Sequence, residues 1–261
     1  LCRLLQIYRK NTLPCGGVAV CMVGDFTQLP PVYPDCVDPI FAQPLFTQQS
    51  WTVMQMPTLC LKTSRRQNDA RFLRILNNLR HNRLTASDIN SLRTRLVTPD
   101  EKTPPEDAVR VFATRKRVSD YNNACLDRTA EANPVTRMSG IVSYIGPFTQ
   151  NHLWYWRRRL DNVFVVPYTL SANIGTRVMH RANYTGHNDR KMVNGTLGTI
   201  CGIDPHFLMV SWDDEPDSKT LVARRPWTHR VNERCSIEML QFPLTMAWAM
   251  TVHKTQGLTM K

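Results

Sequence analysis

The chain has 261 residues, of which 42% are hydrophobic, and its 33 lysines and arginines against 21 aspartates and glutamates give a formal net charge of +12. A chain of this length can bury sizeable cores, and we favour two domains over one. The eight cysteines are scattered without a C-x-x-C pair, which argues against a zinc site or a small disulfide scaffold. No apolar run reaches the roughly 20 residues that span a bilayer, and the positive charge favours a polyanionic partner, with nucleic acid the foremost candidate.

The chain begins inside an apparent helix, because Leu1, Leu4, Leu5 and Tyr8 recur at helical spacing. It stops at Lys261, directly after a motif. We therefore expect a fragment of a longer protein. Nothing near the first residue has the basic, apolar and small-residue order of a signal peptide, so we expect a soluble, intracellular protein without a membrane partner.

Residues 18–23 are an apolar, valine-rich run that predicts a parallel strand buried on both faces. The run ends in a stiff polar loop, 24–32, so Asp25 and Gln28 should lie just beyond the carboxyl end of the strand, where open α/β sheets bind ligands. A phosphate-binding loop of the form G-x-x-x-x-G-K-S/T is absent, because none of the eleven glycines is followed by lysine. The pattern predicts one half of a nucleotide site.

A short strand is expected at 57–61, followed by two helices. Asn68 or Asp69 is a good cap for the first helix, and the sequence from Thr85 to Asp88 resembles a capping box at the start of the second. The apolar residues at helical spacing are Phe72, Leu73, Leu76 and Leu79 in the first helix and Ile89, Leu92 and Leu96 in the second.

A further strand and helix pair is predicted at 109–113 and from about 118 to 126. From about residue 175, short strand-like runs are separated by Asn-Gly, Asp-Pro and Asp-Glu-Pro turns, which predicts a small β-barrel or β-module inserted into an α/β domain. These runs span 176–179, 196–203, 207–212 and 219–223. A buried strand then resumes at 244–250 and leads into 251–257.

Four segments together resemble the motifs of the Pif-type, RecD-like superfamily 1 DNA helicases, in the family's order and over nearly the whole chain. The segments are 24–32, then Arg66-Gln67 with Asp69, Phe72, Leu76 and Arg80, then 193–198, and finally 244–259 with its core 253–257. The resemblance implies an α/β fold with two RecA-like P-loop NTPase-type domains, the first truncated, and a small β-barrel-like insertion in the second. It also implies that the phosphate-binding loop and an Asp-Glu metal motif precede this chain and that an arginine-bearing motif follows it.

In this family ATP lies between the two RecA-like domains, and single-stranded DNA crosses both. The resemblance therefore divides the chain into the end of the first domain, the first part of the second domain, an inserted and mostly β module, and the continuation of the second domain. These four parts are 1–56, 57–130, 131–243 and 244–261.

Gln28 is a candidate sensor of the γ-phosphate, since a neutral amide can bond a phosphate oxygen or the attacking water and exchange partners as the phosphate leaves; the alternative is a turn residue. Asp25 could reach a metal-bound water, or it could cap its own turn. On the residues alone, adjacent arginines before a helix are more often solvated, but the resemblance makes Arg66 the catalytic arginine finger, with Arg65 as its rival. It assigns ATP and Mg²⁺ to a site that lies mostly outside this chain, without a metal ligand here. The nucleotide-binding residues that it implies are Gly24, Gln28, Arg66, Gln67 and Gly257.

Four residues at the turn after the strand 244–250 would present ammonium, hydroxyl and amide groups, a set suited to binding phosphates without reading bases. The alternative is an ordinary helix start. For Asn194-Gly195 a type I′ hairpin is a sufficient explanation, and a DNA-binding role there follows from the resemblance alone. The four residues are His253, Lys254, Thr255 and Gln256.

Two further segments imitate functional sites. Residues 207–215 look like a metal-binding strand that ends in Asp-Glu, but they follow the Asn-Gly turn and precede a proline turn, so we reject them as the nucleotide-metal site. Residues 154–159, Trp-Tyr-Trp-Arg-Arg-Arg, combine stacking rings with cations as single-strand binders do. A peripheral amphipathic segment is an equal alternative for them.

The resemblance implies an ATP-dependent DNA helicase that moves from 5′ to 3′ on single-stranded DNA and unwinds duplex DNA in repair, recombination or telomere maintenance. In a eukaryote it would act in the nucleus or the mitochondrion. Because the phosphate-binding loop is missing, we expect the fragment itself to be inactive. The alternative is a non-catalytic nucleic-acid-binding remnant of a helicase or a mobile element.

Overall fold

The computed structural model describes residues 2–29, 44–65, 67–96, 108–185 and 191–256. The chain divides into two compact units, Leu1–Lys102 and Thr103–Lys261. The domain bounds that the resemblance implies stay predictions. Within the described ranges, none of the helices is long and apolar enough to cross a membrane.

The described part of the first unit is helical. The predicted start of the helix α3 (Ala70–Arg80) is confirmed, because the Asp69 carboxylate accepts hydrogen bonds from two backbone amides of the first turn. Thr85 and Asp88 form the expected capping box at the start of the helix α4 (Ala86–Arg93). The helices are α1 (Cys2–Arg9), α2 (Gln49–Met54), α3 (Ala70–Arg80) and α4 (Ala86–Arg93), with short 3-10 turns at Pro14–Gly17 and Leu45–Thr47.

A buried carboxylate joins α3 to α4. Asp88 has no exposed surface, and it accepts hydrogen bonds from Asn78 Nδ2 at 2.8 Å and from Arg74 Nη2 at 3.1 Å. These contacts lower the pKa of Asp88 to about 2, and the hydrogen bond from Asn78 has the largest effect. The same side chain therefore caps one helix and holds it against the other.

Two strands predicted in this unit do not form. Residues 18–23 and 57–61 have no strand structure, and their apolar side chains reach solvent, with Val23 92% and Leu61 97% exposed. A strand needs backbone partners on a neighbouring strand, and no strand is present among the described residues of this unit. The prediction was wrong because apolar composition alone does not supply that partner.

The second unit combines helices with several β-sheets. Its helices are α5 (Arg115–Ala130), α6 (Gln150–Arg157), α7 (Leu160–Val163) and α8 (Val252–Thr255). Its strands are β1 (Arg110–Phe112), β2 (Thr136–Ser139), β3 (Ile141–Ile145), β4 (Thr169–Ala172), β5 (Arg177–His180), β6 (Tyr184–Thr185), β7 (Lys191–Met192), β8 (Leu197–Ile203), β9 (Phe207–Trp212), β10 (Glu215–Ala223), β11 (Arg225–Arg230), β12 (Ser236–Gln241), β13 (Leu244–Met246) and β14 (Ala249–Thr251).

Antiparallel pairing dominates these sheets. A five-stranded sheet has the order β10-β9-β8-β5-β13, and a three-stranded sheet has the order β11-β12-β3. Two antiparallel pairs, β2 with β4 and β6 with β7, and one parallel pair, β1 with β14, complete the described strands. The fold is therefore mixed α/β, as predicted. The sheets are open within the described residues, and the barrel-like form of the insertion stays a prediction.

The main core lies on the five-stranded sheet. Trp212, Ile200 and Leu244 are fully buried there. Gly198 of β8 is required beside them, because a Cβ at this position would lie 2.7 Å from both the Ser211 carbonyl and the Trp212 ring. A second core, which contains Ile237 and Met239 with Leu160, Phe164 and Val166, packs on the three-stranded sheet.

The predicted single strand at 244–250 is wrong. The run divides into β13, which pairs antiparallel with β5, and β14, which pairs parallel with β1. Between the two strands the Ala247 amide donates to the Arg177 carbonyl at 2.9 Å. An apolar run does not indicate which strand each of its halves pairs with. That the two halves belong to different sheets could therefore not be inferred from the sequence.

Candidate functional site

Asp25 organises the polar loop that follows residue 23. Its Oδ1 accepts hydrogen bonds from the Thr27 hydroxyl at 2.6 Å and the Thr27 amide at 3.0 Å. Its Oδ2 accepts from Gln28 Nε2 at 3.2 Å and pairs with Arg80 Nη2, at the end of α3, at 2.9 Å. The pKa of Asp25 is lowered to about 2, chiefly by the hydrogen bonds from Thr27 and to a smaller extent by the bond from Gln28 and the charge of Arg80. The loop is thus tied to the helix of the second helicase-like segment.

Of the two roles considered for Asp25, turn capping matches the observed contacts. Both of its oxygens are engaged, and Gln28 is exposed and oriented by one of them. A Cβ at Gly24 would meet no atom of the described residues within 4 Å, so among these residues nothing covers the backbone there. By themselves these residues do not fit a nucleotide and its metal, because the carboxylate is occupied and the chain has no phosphate-binding loop.

The remaining nucleotide-site predictions have different outcomes. Gln67 lies at the start of α3, where its Oε1 accepts a hydrogen bond from the Asp69 amide at 3.0 Å. Arg66 and Gly257 lie outside the described residues. The structure therefore brings Asp25 and Gln28 together and positions Gln67 as part of a helix start.

In the second unit, two parallel strands end side by side. Phe112 of β1 is the register partner of Thr251 of β14, so α5 and α8 both begin at the same edge of the sheet. This is the edge at which open α/β sheets place ligands. Asn122 of α5, only 4% exposed, donates to the Ala249 carbonyl at 3.1 Å and accepts from the Ala249 amide at 2.8 Å. These two bonds fix α5 against the strand that leads into α8.

Three cations gather near this edge: Arg115, the first residue of α5; Arg181, directly after β5; and Lys254 in α8. We call them the basic cluster. The pKa of Lys254 is lowered by partial burial of its ammonium group and then by the positive charges of Arg181 and Arg115. Within the described ranges, none of the three forms an ion pair with a carboxylate. Clustered like charges without a counter-ion are suited to a polyanion such as a phosphate backbone.

Arg181 is the most buried member of the cluster. Its Nε has no hydrogen-bond partner in the described part of the chain, and burial lowers the pKa of its guanidinium. Its neighbour His180 is fully buried, and burial lowers the pKa of that imidazole to about 4, so His180 is neutral at physiological pH. An unsatisfied buried donor is costly, and a bound anion would remove that cost.

The Asn194-Gly195 turn lies next to this cluster. The Gly195 amide donates to the His180 carbonyl at 2.8 Å, one residue before Arg181, and the Asn194 amide donates to Asn183 Oδ1 at 2.7 Å. Gly195 has φ +100°, whereas Asn194 is not among the residues with positive φ. The predicted type I′ turn is therefore wrong, because that type needs positive φ at both positions. The turn joins β7 to β8, which pair with other strands, so it closes no hairpin.

The other predicted DNA-binding residues surround Lys254. His253 and Gln256 are exposed, while the Thr255 hydroxyl donates to the Val252 carbonyl at 2.7 Å within α8. Lys254 is thus the member of the predicted motif that belongs to the basic cluster.

Sequence reasoning missed Arg115 and Arg181. Each follows closely on the end of a strand, β1 and β5 respectively, and a cation at a strand end is the signal that could have found them. Their proximity to Lys254 depends on the pairing of β5 with β13 and of β1 with β14, which the sequence pattern does not reveal.

The acidic end of the segment 207–215, which we rejected as a metal site, has a structural role. Asp213 forms a bidentate ion pair with Arg177, with N–O distances of 2.7 and 2.6 Å. This contact joins β5 to the end of β9.

Several known proteins are similar to this chain in sequence and in fold. No protein-family model matches the chain. The ATP-dependent DNA helicase Pif1 of Bdellovibrio bacteriovorus is 29% identical over 258 residues, which cover 98% of this chain and 54% of that protein. The ATP-dependent DNA helicase PIF1 of Candida albicans is 32% identical over 205 residues, 74% of this chain and 20% of that protein. The crystal structure of Candida albicans Pif1 matches with a TM-score of 0.75 at 25% identity, over 100% of this chain and 61% of its own. The chain belongs to the Pif1-type superfamily 1 helicases.

The family predicted from the motifs is thereby confirmed. A crystal structure of Bacteroides sp. Pif1 in complex with ADP-AlF4 shares the fold of this Pif1-type chain, with a TM-score of 0.72 at 23% identity over 100% of this chain and 58% of the other. The chain spans about half the length of the bacterial relative and about a fifth of the Candida relative, given coverages of 54% and 20%.

Proposed function

We propose that the complete protein is an ATP-dependent DNA helicase and that this chain contributes single-strand DNA binding through the basic cluster. The observation that carries the proposal is the gathering of Arg115, Arg181 and Lys254 beside the carboxyl ends of β1 and β14, without an ion-paired carboxylate in the described ranges. The activity is supported by the relatives, both of which are ATP-dependent DNA helicases.

In this proposal the cluster binds backbone phosphates. A phosphate oxygen would give Arg181 Nε the acceptor that the described residues do not provide. Burial, and then repulsion from the two arginines, lowers the pKa of Lys254; a bound phosphate would add an attractive charge, so DNA binding raises that pKa. Phosphate contacts carry no base information, which suits a motor that moves along any sequence. The same DNA strand would be lined by Asn194-Gly195, His253, Thr255 and Gln256.

We further infer that the complete protein binds ATP and Mg²⁺, for which the Bacteroides sp. complex with ADP-AlF4 is a parallel. Mg²⁺ would neutralise phosphate charge during transfer. Gln28 would contact the nucleotide, and Asp25 would hold the Gln28 amide through its 3.2 Å hydrogen bond. Arg66 would supply the arginine finger, and Gly24, Gln67 and Gly257 would complete the set.

Finer aspects of the function are also proposals. They comprise 5′ to 3′ movement, duplex unwinding, roles in repair, recombination or telomere maintenance, and action in the nucleus or mitochondrion of a eukaryote. We propose that this chain alone does not turn over ATP, because it has no phosphate-binding loop.

The test is ATP turnover by the complete protein with and without single-stranded DNA. We expect turnover that single-stranded DNA stimulates. Arg66→Ala should abolish turnover and leave nucleotide binding nearly intact, because an arginine finger acts on the charge that develops during transfer. Arg65→Ala is the matched control and should retain most of the activity. Full turnover in Arg66→Ala would remove that residue from its role, and a complete protein without DNA-stimulated turnover would instead be a non-catalytic binding remnant.

A further inference from the structure

Helix α6 divides its aromatic residues between the core and the solvent. Trp156 packs into the core of the three-stranded sheet, with its ring 5.4 Å from that of His229. Trp154 is 60% exposed and Tyr155 is 41% exposed. Neither belongs to a hydrophobic cluster of the described residues. The Tyr155 ring contacts Trp156 edge-on, with 5.1 Å between the ring centroids, but packing in the core does not explain the exposed Trp154 ring.

The exposed rings carry stacked arginines. Arg158 Cζ lies 4.3 Å from the centroid of the Trp154 ring, and Arg159 Cζ lies 4.1 Å from that of Tyr155. Arg157 adds a third cation to the same short segment, and all three arginines are exposed. No ion pair in the described ranges involves any of them. The face is therefore both aromatic and positively charged.

Trp154 borders a surface pocket of about 730 Å³ whose walls come from one stretch of chain. The pocket offers an indole, two guanidinium groups and two carboxamides, and none of the described residues that line it is acidic. A base can stack on the indole, the carboxamides can bond a base edge, and the guanidinium groups can bind phosphates. The lining residues are Gln150, Asn151, Leu153, Trp154, Arg157 and Arg158.

We propose that residues 150–159, the α6 face, form a second binding surface for single-stranded nucleic acid. The face is separate from the basic cluster, because α6 packs on the sheet of β11, β12 and β3 and shares no residue with the cluster. Charge complementarity selects a phosphate-bearing partner. The exposed rings select a single strand, whose bases are free to stack, over a duplex, whose bases are already stacked. The inference rests on the proposed DNA binding and adds a second contact to it.

The test combines affinity with crosslinking in the full-length protein. The probe is a fluorescein-labelled deoxythymidine oligonucleotide that contains 5-iodouracil, and crosslinked peptides are identified by mass spectrometry. We expect crosslinks at Trp154 or Tyr155. Trp154→Ala should weaken binding by at least about fivefold, the low end for the loss of one stacked base. Trp154→Phe should retain most of the affinity because it keeps a ring.

The arginines are tested with a charge-matched control. Arg158→Ala should weaken binding more than Arg137→Ala, which removes the same charge from an exposed position on β2. Unchanged affinity in Trp154→Ala, together with no crosslink in 150–159, would overturn the proposal. So would loss of binding to phosphatidylserine vesicles without loss of oligonucleotide affinity, which would make the face a membrane contact.

Lys254→Ala, measured in parallel, separates this inference from the proposed function. Weaker binding in Lys254→Ala with unchanged binding in Trp154→Ala contradicts only the DNA-binding role of the α6 face. Weaker binding in Trp154→Ala with unchanged binding in Lys254→Ala contradicts DNA binding by the basic cluster and supports DNA binding by the α6 face.

Discussion

Asp25 shows how one carboxylate can organise a loop and orient the Gln28 amide. It accepts hydrogen bonds from Thr27 and Gln28 and pairs with Arg80, so the loop and α3 are held together through a single side chain. The sequence could predict that Asp25 and Gln28 lie near one another, because they are close along the chain. The ion pair with Arg80 could not be predicted, since it depends on how the helix packs.

These contacts make a prediction about pH. They favour the ionised form, so the pKa of Asp25 in the folded protein is about 2, below its ordinary value of 3.8. The stability that this group contributes is fully present above about pH 4 and is lost as the pH falls towards 2. In Asp25→Asn the free energy of unfolding should therefore change less with pH in this window.

Urea unfolding at several pH values between about 4 and 2 measures this difference, and the carboxyl carbon resonance of Asp25 gives its titration directly. An identical pH dependence in the variant and the parent, or a titration near the ordinary value of 3.8, would contradict the observed contacts.

At the scale of elements, the parts with local signals were predictable. The starts of α3 and α4 follow from capping side chains within a few residues. After residue 175, the strands β5, β8, β9 and β10 were found from alternation and turns, with shifts of a few residues, whereas β6 and β7 were not predicted. The elements between 131 and 172 and the strands β11 and β12 were not predicted, and 18–23 was predicted wrongly. The strands among these elements depend on a pairing partner that their own sequence does not identify, whereas helix α6 begins at a local cap, Thr149, that was overlooked.

Asn122 gives a prediction for the junction of α5 and β14. Asn122→Ala would leave the Ala249 amide and carbonyl buried without their partner, and each such group costs about 1–3 kcal/mol. We expect the free energy of unfolding to fall by about 2 kcal/mol or more, measured by chemical denaturation. Asn123→Ala, at the adjacent exposed position, is the matched control and should have little effect. Equal stability of the two variants would show that the Asn122 bonds do not hold this junction.

For the whole molecule, the net charge of +12 predicted a polyanionic partner before any residue could be assigned to it. The structure adds two places where cations gather without ion-paired carboxylates in the described ranges, the basic cluster and the α6 face. The first combines a recognised motif with two arginines that the sequence did not single out. The second gives a proposed role to residues 154–159, for which the pattern left two alternatives open.

The most direct measurement of the central claim is the salt dependence of single-stranded DNA affinity for the complete protein. Each phosphate contact contributes about 0.7 to the slope of log affinity against log salt concentration. We predict that Lys254→Ala and Arg115→Ala each reduce the slope by about 0.7, uniformly across sequences, while Arg137→Ala leaves it unchanged. Slopes for both cluster variants equal to that of the parent protein would contradict phosphate binding by the basic cluster.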